Sequence, residues 1–183
     1  MQKHRILGVD PGTNLLGFAI IEVLPRELFV LEMGVIHLRK NPSHAEKLLQ
    51  ILNNIQDLIE KFHPAQMAIE APFFGKNIQS MLKLGRAQGV AIAAALSNNV
   101  EIREYSPKKI KLAITGNGNA SKDQVAAMLA NLVSSKVETT SLDATDALAV
   151  AVCHHFQSNQ VHKSSSHFKD WTAFLKANPD RLA

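Results

Sequence analysis

Arg5-Ile6-Leu7-Gly8-Val9-Asp10-Pro11-Gly12-Thr13-Asn14-Leu15-Leu16-Gly17-Phe18-Ala19-Ile20-Ile21-Glu22-Val23 reads as two apolar strands around a Pro-Gly turn. A third strand candidate, Leu28 to Leu38, follows the break at Pro25-Arg26-Glu27. Three strands in series predict an antiparallel meander. From Ser43, a helix N-cap, to Phe62 the apolar residues Leu48, Leu49, Leu52, Ile55, Leu58 and Ile59 keep helical spacing. Gln66 to Glu70 is a short strand stopped by Pro72, Ile78 to Leu96 a helix, and Val100 to Tyr105 a fifth strand. Ser106-Pro107 opens a short helix, Ser121 caps another that runs to about Ser134, and Leu142 to Phe156 is the last core helix. Strands first and helices interleaved later predict an α/β fold, a mixed five-stranded sheet flanked by helices.

The chain has 183 residues, 46% hydrophobic and 20% charged, the make-up of one ordinary globular domain. No apolar run approaches the roughly 18 residues of a membrane span, and Met1-Gln2-Lys3-His4-Arg5 passes into a strand without a signal-peptide pattern. A cytoplasmic protein without a membrane partner is expected. Cys153, the lone cysteine, sits in an apolar run and reads as a core residue. The tail from Gln157 is rich in Ser, Asn, Gln, His and Lys until Phe168, where Phe168, Trp171, Phe174 and Leu175 offer a short amphipathic helix. The expected division is therefore a domain over 1–156, then a linker and extension over 157–183.

Four carboxylates stand where charge is costly. Asp10 and Glu70 each close an apolar strand, and Asp143 and Asp146 are the only charges in Leu142-Asp143-Ala144-Thr145-Asp146-Ala147-Leu148-Ala149-Val150-Ala151-Val152. Their i, i+3 spacing puts the last two on one helix face. Asp10 suits a Pro-Gly turn and Asp143 suits a first helical turn, whereas Glu70 and Asp146 have no such local use. An all-oxygen set fits Mg²⁺, or Mn²⁺ in its place, better than zinc. Two such ions would clamp the attacking and leaving oxygens of a phosphodiester displacement. Between Lys76 and Lys122, eight Lys and Arg face only Glu101 and Glu104, which predicts a phosphate-facing surface. Gly85, Gly89 and Ala93 recur every fourth residue; such a face serves tight packing on the sheet or self-association, and the sequence alone favours the former.

Ile6-Leu7-Gly8-Val9-Asp10-Pro11-Gly12-Thr13 with Gly17, Ile69-Glu70, Leu84-Gly85-Arg86-Ala87-Gln88-Gly89-Val90 and Asp143-Ala144-Thr145-Asp146-Ala147-Leu148-Ala149 together resemble the RuvC family of Holliday junction resolvases, over roughly residues 5 to 156. The resemblance implies an RNase H-like fold and a homodimer that nicks four-way junction DNA symmetrically, dependent on Mg²⁺. It also implies association with the RuvA and RuvB branch-migration proteins. Asp10, Glu70, Asp143 and Asp146 fall on the family's metal-binding acids, and the ligand set here would be all carboxylate. Phe73, with Phe74 and Lys76 beside it, falls where the family stacks an aromatic on junction bases; Lys111 and Lys122 match its basic residues beside the scissile phosphate. The Asp-Pro-Gly-Thr turn also resembles the phosphate-binding turn of actin-like ATPases, but that fold needs two such domains. The YqgF-like nucleases share the general pattern, and the Leu-Gly-Arg-Ala-Gln-Gly helix fits RuvC better.

Overall fold

The computed structural model describes residues 3–38, 43–72, 77–134 and 141–163. Its strands are β1 (His4–Asp10), β2 (Leu15–Val23), β3 (Leu28–His37), β4 (Gln66–Glu70) and β5 (Glu101–Tyr105); its helices are α1 (His44–Phe62), α2 (Ile78–Ser97), α3 (Pro107–Thr115), α4 (Lys122–Leu132) and α5 (Leu142–Lys163). The five strands form one sheet in the order β3-β2-β1-β4-β5. β1 to β3 are the expected antiparallel meander, while β4 lies parallel to β1 and β5 parallel to β4. Parallel pairing brings the C-terminal ends of β1 and β4 to one end of the sheet, so Asp10 and Glu70 close adjacent strands on the same side of the molecule.

Side-chain alternation then decides which face they look from. Leu7, Val9, Leu16, Ile20, Met67 and Ile69 pack under α1 and α2, whereas Ile6, Ala19, Ile21 and Ala68 pack under α3, α4 and α5. Asp10 and Glu70 are two residues beyond Gly8 and Ala68, and share their face. α5 crosses β1 and β2 at very short range. A Cβ added at Gly8 would lie 2.2 Å from the Ala147 carbonyl oxygen, and one at Gly17 would lie 2.0 Å from that of Asp143. These two glycines seat the helix by having no side chain.

The helix starts follow their sequence signals. Ser43 and Ser121 each form a capping box, with Glu46 and Gln124, and Ser106 caps α3 with Pro107 in its first turn. Two expectations change. The final helix does not stop at Phe156 but continues to Lys163, so the residues after 156 begin as helix rather than linker; Phe168, Trp171, Phe174 and Leu175 lie outside the described residues. The glycine face of α2 is not packed on the sheet: a Cβ at Gly85 or Gly89 would meet nothing within 4 Å. Ala87, Ala91, Ala94 and Ala95 are the small residues α2 buries, and its glycines sit on the opposite, exposed side with Ile78, Leu82 and Leu96.

Candidate active site

Asp10, Glu70 and Asp146 line one cavity of about 310 Å³, together with Lys111 from α3 and Lys122 from α4. Pro107, Ile110, Val125 and Ala149 supply its apolar wall. Asp143 does not line the cavity, but its charge acts on Asp10 from the first turn of α5. Sequence elements far apart thus converge because strand pairing fixes Asp10 beside Glu70 and the glycine seat brings α5 down onto them.

Burial and crowding of like charge set the electrostatics. Asp10 is pushed from 3.8 to about 7, chiefly by loss of water and then by the charges of Glu70, Asp146 and Asp143; Lys122 opposes this. Glu70 is pushed from 4.5 to about 7, again by burial first and Asp146 second, against Lys122 and Lys111. Lys122 Nζ donates to Asp146 Oδ2 at 2.5 Å, and that bond holds the Lys122 ammonium above its usual range. The cavity therefore sets three carboxyls, two of them only partly ionised at neutral pH, against two cations, one of which is already paired with Asp146.

As they stand, no three acidic, His or Cys side chains among the described residues are gathered tightly enough to hold one ion. The donor chemistry still fits a divalent cation: hard carboxylate oxygens, partly desolvated, in one cavity. Phe73, Phe74 and Lys76 lie outside the described residues.

Sequence reasoning overlooked the glycine seat. Glycine inside a strand is the signal that finds it, since it marks a close backbone approach. Overlooked too was a buried polar chain behind β5. Tyr105 Oη and His154 Nδ1 are 2.8 Å apart, and His154 Nε2 is 2.9 Å from Gln66 Oε1. Burial lowers His154 to about 4, so its ring is neutral. Tyr105 is the residue before the Ser106 cap of α3, and this chain fixes the start of the helix that presents Lys111.

Comparison with known proteins agrees with this geometry. The family model for crossover junction endodeoxyribonuclease RuvC matches residues 6–154. The crossover junction endodeoxyribonuclease RuvC of Cytophaga hutchinsonii is 58% identical over 97% of this chain and 87% of its own length. That of Porphyromonas gingivalis is 51% identical over 99% of this chain and 98% of its own. Both alignments run well past residue 156, so the tail is shared with relatives. Among solved structures, Thermus thermophilus RuvC in complex with Holliday junction substrate superposes with a TM-score of 0.81 at 27% identity, covering 86% of this chain and 96% of that one. The yeast mitochondrial Holliday junction resolvase shares the fold, with a TM-score of 0.67 at 18% identity over 88% and 81% of the two chains. With carboxylates at the ends of β1 and β4 and on α5, and a family match across the whole sheet, this chain belongs to the RuvC family of crossover junction endodeoxyribonucleases.

Proposed function

We propose that this chain resolves four-way DNA junctions during homologous recombination and repair. It works as a homodimer that nicks two like strands by metal-dependent hydrolysis, leaving 5′-phosphate and 3′-hydroxyl ends. The observation that carries the reading is the convergence of Asp10, Glu70 and Asp146 with Lys111 and Lys122 on one cavity at the C-terminal end of β1 and β4. Asp10, Glu70, Asp143 and Asp146 are the residues that would hold Mg²⁺ or Mn²⁺, two ions per site. Bound there, the ions supply charge neutralisation and a lowered pKa for the attacking water.

The chain's own residues do the rest. Asp10 and Glu70, held near 7 when no cation is bound, give up their protons readily as positive charge arrives. Lys122 exchanges its bond to Asp146 for a phosphate oxygen, and Lys111 approaches from the Glu70 side; both stabilise charge on the pentacovalent phosphate. Phe73 and Phe74 stack on bases near the junction centre, with Lys76 on the adjoining phosphates. The exposed α2 face, Ile78 at 70% and Leu96 at 59% with the open glycines between them, supports dimerisation there, and a two-fold dimer matches the symmetry of the junction. RuvA and RuvB are the branch-migration partners, residues 157–183 form an extension to the nuclease domain, and the setting is cytoplasmic. No helix among the described residues is long and apolar enough to cross a membrane.

Supercoiled plasmid carrying a cruciform tests the chemistry. Paired nicks across the junction should yield linear product with hairpin ends whose nicks DNA ligase seals without kinase treatment. Ends that require phosphorylation, or single unpaired nicks, would contradict the mechanism.

A further inference from the structure

On the other face of the sheet from Lys111 and Lys122 lies a second polar cavity, of about 360 Å³, built from three separate segments. Thr13 and Asn14 come from the turn that follows Asp10, His44 and Lys47 from the first turns of α1, and Ser80 and Lys83 from α2. Lys47 Nζ donates to the Thr13 carbonyl at 3.1 Å and to Asn14 Oδ1 at 3.2 Å, and among the described residues its third proton is uncommitted. His44 is only partly covered, yet its Nε2 is out of water and has no hydrogen-bond partner among the described residues. Burial and the charges of Arg86, Lys83 and Lys47 hold the His44 ring below its usual value. The nearest acid on α1, Glu46, is engaged by Ser43 in the capping box. With Lys47 and Lys83 lining the cavity beside His44 and Arg86 adding its charge, an oxyanion there would meet hydrogen-bond donors and balance the charge.

We propose that this cavity is a phosphate-binding site for the nucleic-acid backbone, in which His44, Lys47 and Lys83 grip a phosphate away from the one being cut. The inference rests on the junction-resolving reading for its substrate. Because Thr13 and Asn14 lie only three and four residues past Asp10, a strand lying over this end of the sheet meets cations on both faces, with Lys111 and Lys122 on one side and Lys47 and Lys83 on the other. Lys47 joins the two sites mechanically, since it holds the turn that carries the chain out of β1.

Junction binding is measured by fluorescence anisotropy in chelator over a salt series, for wild type, Lys83→Gln and Lys83→Arg; the His44 ring signals are followed by NMR with inorganic phosphate and with junction as separate probes. Lys83→Gln should weaken junction binding and flatten the log Kd against log salt slope by about 1, with Lys83→Arg retaining the slope. Junction should move the His44 signals in wild type and much less in Lys83→Gln. An unchanged slope, or His44 signals that junction leaves still, overturns the proposal; movement with free phosphate alone refutes the nucleic-acid source. Should wild type bind no junction while phosphate moves His44 in a Lys83-dependent way, the anion site stands and the junction reading fails.

Discussion

Asp10→Asn should make the metal-free protein more stable, and only at neutral to alkaline pH. The folded Asp10 carboxyl is raised from 3.8 to about 7, which at 1.36 kcal/mol per pH unit corresponds to a ceiling of roughly 4 kcal/mol. Partial contact with solvent brings a realistic figure to about 2 kcal/mol. The sign follows from linkage. A carboxylate whose folded pKa lies above its unfolded one penalises folding when ionised, so wild-type stability falls as pH rises through the window from about 4 to about 7 and then levels. Asparagine removes that penalty; the gain should be near zero at pH 4 and reach about 2 kcal/mol at pH 8, some 4 to 8 °C in melting temperature for a chain of this size. The assay is a pair of thermal melts in chelator at each pH. A gain of the same size at pH 4 and pH 8 would trace the effect to packing rather than charge, and a loss at pH 8 would refute the crowded-carboxylate argument. Asp146→Asn is a weaker probe because it also breaks the 2.5 Å pair with Lys122. Adding Mg²⁺ should raise the melting temperature of wild type by mass action and leave Asp10→Asn nearly unmoved.

Other consequences are as direct. Lys122→Met should cut the single-turnover cleavage rate by about 10²- to 10³-fold while leaving junction affinity within a few-fold, as expected for a donor used in the transition state; an equal loss in affinity and rate would place the lysine in binding instead. Gly17→Ala forces a Cβ to 2.0 Å from the Asp143 carbonyl oxygen, so denaturant titration should show a loss of about 1 to 3 kcal/mol, with α5 displaced. An unchanged midpoint would mean the helix seat yields to a methyl group without cost. Gly89→Ala has open space around the new methyl group and should not destabilise an isolated subunit, whereas Gly89→Trp should shift sedimentation toward monomer. A Trp variant that stays dimeric would move the dimer contact off α2.

Much of the architecture was legible because strong local signals agree with one another. Ser43, Ser106 and Ser121 cap their helices as read, and the strand runs to Asp10 and Glu70 end where the turn residues put them. The four acids were visible because charge on an apolar element is conspicuous in a linear sequence. How they meet was not, since it depends on parallel pairing of β1 with β4 and on glycines that act by what they lack. The α2 glycines show the limit of reading spacing: a small-residue face has the same pattern whether it packs inward or outward, and only the exposed Ile78, Leu82 and Leu96 tell which. The helix past Phe156 was missed because Gln157, Ser158 and Asn159 carry no apolar period, although they continue an already nucleated helix. His44 gave no signal at all; its meaning comes from Lys47, Lys83 and Arg86, which reach it from two helices.

The most direct measurement compares wild type with Glu70→Gln on a synthetic four-way junction in Mg²⁺, with a linear duplex of the same sequence as control. Wild type should cut the junction in symmetry-related strands and spare the duplex, and Glu70→Gln should bind the junction with unchanged affinity but fail to cut it. Cleavage by Glu70→Gln at the wild-type rate, or equal cutting of the duplex, would contradict the account.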